Sequence, residues 1–158
     1  MIERVPVVRT KLVKEYEIEL CDYKIFGIEG TEEIFYKLIG GSTLEKVAMI
    51  CLNSNNKVIN VAVTNIGTYS KVDIVPSELF RIAILSNANS IIICHNHPSG
   101  ELRPSPYDIE MTKRIGYIGS LLNIKLIDSL IIGDGKVCYS IRSEINKMEN
   151  KNELQKSI

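Results

Sequence analysis

Both histidines of this 158-residue chain fall in one stretch, CHNHPSGELRPSPYD at positions 94–108. In a strand, residues two apart project from the same face, so His95 and His97 point together while Cys94 and Asn96 face the other way. The loop that follows carries Pro98, Gly100 and Pro104, and it returns the chain so that Asp108 lands in the first turn of a helix able to face the imidazoles. Two neutral imidazoles and one carboxylate, with a fourth position left for water, are the ligand count of a catalytic zinc site. Zinc lowers the pKa of its bound water to about 7, yet a base must still accept the proton and pass it to the leaving group. The pattern therefore requires one further acid.

The flanking segments must supply a strand before the histidines and a helix after them. SIIIC is a short continuous apolar run, as expected of a strand buried on both faces, and the polar HNHPSG begins where it ends. SPYDIEMTKRIGYIGSLLN predicts a long helix, with Ile109, Thr112, Ile115, Ile118, Leu121 and Leu122 at helical spacing. Upstream, VPVVRTKLVKEYEIELC (5–21) alternates apolar and polar residues and predicts one or two strands at a sheet edge. GTEEIFYKLIGG predicts a short amphipathic helix with Thr31 as N-cap. KVAMICLNSNNKVINVAVTNIG predicts a hairpin turning at 53–56, and VPSELFRIAILSNA a helix that begins near Pro76. IKLIDSLIIGDGKVCYSI predicts closing strands around Gly-Asp-Gly. Residues 143–158 are dominated by Glu, Lys and Asn and predict frayed helix or a flexible tail, so a single domain spans 1–142.

Composition narrows the class without naming a partner. Apolar residues make up 45% and charged residues 24%, which suits a folded globular protein. Nineteen basic residues balance nineteen acidic ones, so no global field draws the chain to nucleic acid. No apolar run reaches the roughly 18 residues of a membrane span and the start lacks a secretory signal, so a cytoplasmic protein is expected. Cys21, Cys51, Cys94 and Cys138 are widely spaced beside apolar segments and are read as buried free thiols.

His95-x-His97, seven residues, Ser105, two residues, Asp108 resembles the signature of the JAMM (MPN+) metalloproteases, and HNHPSG followed by PS and an aspartate resembles their RadC branch. Gly67-Thr68, PSELF, DIEMTKRI and LIDSLIIGDG extend the likeness over roughly residues 31–142. The resemblance implies a three-layer α-β-α domain with a mixed curved sheet, of cytidine-deaminase-like architecture. It implies zinc held by His95, His97 and Asp108, Glu45 as the acid acting through the water, and Ser105 helping to stabilise an oxyanion. Hydrolysis of peptide or isopeptide amide bonds in a protein substrate follows from it. Two features depart from the RadC pattern: the helix-hairpin-helix region with which RadC proteins commonly begin is not seen, and Val75 and Ser77 replace parts of a usual His-Pro-Arg-Glu.

Blander readings stand beside these. Ser105-Pro106-Tyr107-Asp108 is also a capping box, and the two roles are compatible because metal ligation uses one carboxylate oxygen. Glu45 taken alone reads as a solvated strand start. The contiguous His-Asn-His is not an HNH nuclease, whose residues spread over a ββα unit. A nucleoside deaminase needs H-x-E and P-C-x-x-C, and a barrel amidohydrolase needs a chain of at least about 200 residues. Two non-enzymatic alternatives remain: a DNA-repair accessory that binds nucleic acid through Arg4, Arg9, Lys11 and Lys14, and a metal-free interaction domain, against which the intact ligand set argues.

Overall fold

The computed structural model describes residues 4–20 and 24–156, the last five as helix backbone alone. Its elements run α1 (Thr31–Ile39), β1 (Lys46–Leu52), β2 (Val58–Ile66), α2 (Pro76–Leu85), β3 (Ser90–Asn96), α3 (Pro106–Leu121), β4 (Lys125–Ile132), β5 (Cys138–Ser140) and α4 (Ile141–Lys156). One mixed sheet has the order β2-β1-β3-β4-β5, with β3 and β4 parallel and the other neighbours antiparallel. Helices cover both faces, which gives the three-layer α-β-α arrangement.

The central strand is apolar on both sides because both sides are covered. Ile92 and Cys94 pack with Ile34, Phe35 and Ile39 of α1. Ile91 and Ile93 pack with Leu79 and Phe80 of α2 and with Met111 and Ile115 of α3. β1 has the same character, its residues from Val47 to Leu52 all being buried. This is the hairpin partner expected from the sequence, and it sets Val47 opposite His95.

Four local expectations differ from the structure. Residues 4–20 form no strand: Val5, Val7 and Val13 are exposed, and only Ile18 and Leu20 reach the α1-side core. Alternation supplies a strand with a face but not with a hydrogen-bonding neighbour, and Lys37 Nζ instead holds Glu19 O at 2.6 Å over α1. The basic residues at 4, 9, 11 and 14 therefore lie on an exposed segment without regular structure, where Lys14 pairs with Glu17 at 2.8 Å. Thr31 is the first helical residue rather than the cap. It is buried and donates to Ile28 O, and Gly30 takes the cap position at φ 80°.

In α3 the buried row includes Met111 and ends at Gly119, leaving Leu121 and Leu122 exposed. A Cβ on Gly119 would lie 2.4 Å from Ile124 O, so that position needs glycine for the chain to turn into β4. Finally, residues 141–156 are the helix α4. Ile141 and Ile145 occur one turn apart and are buried against Ile131, Ile109 and Tyr139. Two apolar anchors suffice because Asp128 and Ser140 fix the start of the helix: Ser140 Oγ donates to Asp128 Oδ2 at 2.7 Å, and Arg142 N donates to Oδ1 at 3.3 Å.

Cys51 and Cys94 are buried free thiols and Cys138 is half-buried, whereas Cys21 lies outside the described residues. No helix among the described residues is long and apolar enough to cross a membrane.

Candidate metal centre

β3 delivers the first histidine and its exit delivers the second. His95 is buried on the α3 side of the strand, and its Nε2 lies 3.0 Å from His97 Nε2. His97 continues the strand direction because its N donates to Ile132 O at 2.9 Å, and the turn closes with Gly100 N donating to His97 O at 3.0 Å. On the far side of its ring, His97 Nδ1 meets Glu101 O at 2.6 Å. A carbonyl can only accept, so Nδ1 carries a proton, and Nε2 is the ring nitrogen that faces His95.

Asp108 arrives from the other side on the first turn of α3. Ser105 is the N-cap, with Pro106 as the first helical residue. Asp108 Oδ2 accepts from Ser105 N at 2.7 Å and from Ser105 Oγ at 2.6 Å, and Asp108 N returns a bond to Ser105 Oγ at 3.2 Å. The other oxygen, Oδ1, is 3.3 Å from His95 Nε2. Capping uses one carboxylate oxygen, and the other faces His95. Burial raises the carboxyl's pKa, but the bonds and charge of His95 and the two bonds from Ser105 outweigh it, bringing the pKa down to about 2. Asp108 is therefore ionised throughout the physiological range.

Glu45 stands just before β1, two residues ahead of the Val47–His95 pair. It is buried, and one of its carboxylate oxygens and a ring nitrogen of each of His95 and His97 lie mutually within 4.8 Å. Burial raises its pKa, as does the Asp108 charge, while the His97 charge lowers it. Its backbone is held on both sides by Glu45 N to Thr68 O (2.7 Å) and Gly67 N to Glu45 O (2.8 Å). The Gly67-Thr68 pair earns its place here: a Cβ on Gly67 would sit 2.1 Å from Lys71 O.

The sequence reading missed Asn96. Its amide is 3% exposed and points away from the histidines, as strand alternation requires. Oδ1 accepts from Lys46 N at 2.8 Å, while Nδ2 donates to Ser42 O at 3.2 Å and to Leu44 O at 3.1 Å. These bonds grip the chain immediately before and after Glu45, so the residue between the two histidines fixes the glutamate relative to them. Only its place between the ligands signalled this.

The donor set could hold a metal ion. Four ligands at about 2.0–2.1 Å on a tetrahedron lie about 3.3 Å from one another, and the two close pairs here are 3.0 Å and 3.3 Å apart. The three side chains that lie mutually within 4.8 Å are Glu45, His95 and His97, whereas the expected ligand Asp108 reaches this group through His95 alone. A cavity of about 200 Å³ opens beside His97, walled in part by Ser42, Tyr69, Pro98 and Asp134.

The family described as the RadC-like JAB domain matches residues 28–147. Among curated relatives, a UPF0758 protein of Clostridium kluyveri is 40% identical over 114 residues, which is 72% of this chain and 50% of the relative. A UPF0758 protein of Caldanaerobacter subterraneus is 44% identical over 92 residues, covering 58% of this chain and 40% of its own length. One from Clostridium tetani is 46% identical over 91 residues, with the same two coverages. The chain spans about half the length of the curated relatives it matches.

Proposed function

Since this chain belongs to the RadC-like JAB domain family, we propose that it is a zinc-dependent hydrolase of peptide or isopeptide amide bonds. The observation that carries this reading is that His95 Nε2 lies against both His97 Nε2 and Asp108 Oδ1, with the remaining nitrogen of His97 and the remaining oxygen of Asp108 already held by Glu101 O and Ser105. Zinc bound by His95, His97 and Asp108 would acidify a water and polarise the scissile carbonyl.

The chain's own residues divide the remaining work. Glu45, whose pKa is raised chiefly by burial, accepts the proton of the attacking water and returns it to the departing nitrogen. Asp108 stays ionised and supplies fixed negative charge. Ser105 first orients Asp108, because its single hydroxyl proton is committed to Oδ2. It serves an oxyanion only by rotating away from that bond. The cavity beside His97 receives the substrate chain.

Metal content measured by mass spectrometry tests the site. About one zinc per wild-type chain, lost in His97→Ala and in Asp108→Ala, is expected. Glu45→Ala should keep the metal and lose turnover of an amide substrate. A wild-type protein that stays metal-free after zinc is supplied removes the hydrolase reading, and full turnover by Glu45→Ala removes that residue as the base.

A further inference from the structure

We propose that a second cavity, at the opposite end of α3 from Asp108, binds a phosphate-bearing small molecule with a planar ring, of the nucleoside monophosphate class. The cavity lies between α3, the start of β4 and α4, and it measures about 610 Å³. That is within the usual range of small-ligand sites.

Its charge is one-sided. Lys113, Lys125 and Arg142 line it, and no carboxylate does. Glu149, which meets Lys113 Nζ at 3.1 Å, and Asp128, which accepts from the backbone N of Arg142 at 3.3 Å, both lie outside the lining. Arg142 is fixed in place because its Nη1 donates to Leu126 O at 2.9 Å and to Ile127 O at 2.7 Å. A prearranged guanidinium with two lysines suits a phosphate group. Leu126 and Ile145 give the cavity an apolar surface for a ring, and Asn123 and Asn146 each bring an amide that both donates and accepts, as base edges require.

Gly116 is the second observation. It lies in the middle of α3, where glycine is less stable than alanine. Its backbone is ordinary helix, and a Cβ there would meet only Leu126 Cδ2 at 3.9 Å, an ordinary contact. Neither backbone conformation nor close packing explains glycine at 116, whereas a side chain at that position would project into the cavity. The residue keeps the space open, and nothing in the metal centre uses it.

The test is calorimetric titration of the full chain with each of the four nucleoside monophosphates, beside the free nucleosides, inorganic phosphate and a short single-stranded oligonucleotide. Saturable binding of at least one monophosphate is expected, tighter than that of its nucleoside or of phosphate alone, and equal with and without zinc. Gly116→Leu should fold with a melting temperature at or above wild type and lose binding. Lys125→Glu, at an exposed position, should weaken binding about tenfold or more. Should Gly116→Leu fail to fold, Lys125→Glu decides alone. No saturable binding up to about millimolar monophosphate overturns the proposal, as does binding unchanged in both variants. Binding confined to the oligonucleotide overturns it in favour of a nucleic-acid surface. Equal binding with and without zinc keeps this result independent of the hydrolase reading.

Discussion

Replacing Asn96 with alanine tests the hold on Glu45 separately from that on the proposed metal ligands. The amide makes three hydrogen bonds, to Lys46 N, Ser42 O and Leu44 O, at 2.8, 3.2 and 3.1 Å. At a net of about 1 kcal/mol each, the loss is about 3 kcal/mol, lowered toward about 2 by water that enters from the cavity beside His97. Most domains tolerate that loss and stay folded. Urea unfolding should report it as a lower midpoint with an unchanged slope. Metal content should persist, because the imidazoles project from the opposite face of β3, while amide hydrolysis should fall as Glu45 loses its grip on both sides. Asn96→Asp keeps the acceptor for Lys46 N but sets a carboxylate against two carbonyl oxygens. It should therefore be at least as destabilising as alanine at neutral pH, and it should recover part of the loss as acid protonates the new carboxyl into a donor. Two results refute the reasoning: a stability change under about 0.5 kcal/mol in Asn96→Ala, or loss of zinc in step with loss of hydrolysis, which would make Asn96 a support of the whole strand end.

Further substitutions probe the remaining supports. Ser105→Ala removes the cap of α3 and one of the donors that hold Asp108 Oδ2; it should cost about 1 kcal/mol in thermal or urea unfolding and weaken zinc binding about 10- to 100-fold in a chelator competition. Unchanged zinc affinity would confine the serine to capping. Ile141→Ala should cost about 2–5 kcal/mol because the side chain is fully buried, whereas the exposed Met148→Ala should cost under about 0.5 kcal/mol; equal small effects would detach α4 from the fold. Burial, against a lowering hydrogen bond from Ser86, pushes the Cys51 thiol up to about 11 from 9.0. The folded state thus favours the neutral thiol, and that stability is complete below pH 9 and disappears as pH rises to about 11. Urea unfolding of wild type should lose about 2–3 kcal/mol more over this window than Cys51→Ala does, and parallel losses in the two proteins would show that Cys51 is not the group involved.

The part of the site readable from sequence is the part that lies in one short segment. His95 and His97 follow from the two-residue period of a strand, and Ser105 with Asp108 follows from helix-capping chemistry; both are local rules, and both hold in the structure. Glu45 obeys no local rule. It reaches the histidines because β1 and β3 pair antiparallel with Val47 opposite His95, a contact between positions far apart in the chain, and only the family likeness pointed to it. Periodicity also assigns Asn96 to the face away from the histidines without saying that residues 42–46 lie there. The same limit explains the N-terminal segment, where alternation defined a face but no partner strand, and α4, where two buried isoleucines among polar residues gave too weak a stripe to count. One physical consequence follows from this division. The proposed zinc ligands and their supports travel together on β3 and the start of α3, while Glu45, the proposed proton carrier, is held by the 42–46 turn, Thr68 and the amide of Asn96. Changes in that turn should therefore alter proton transfer while leaving metal affinity in place, and changes in the 97–105 loop should do the reverse.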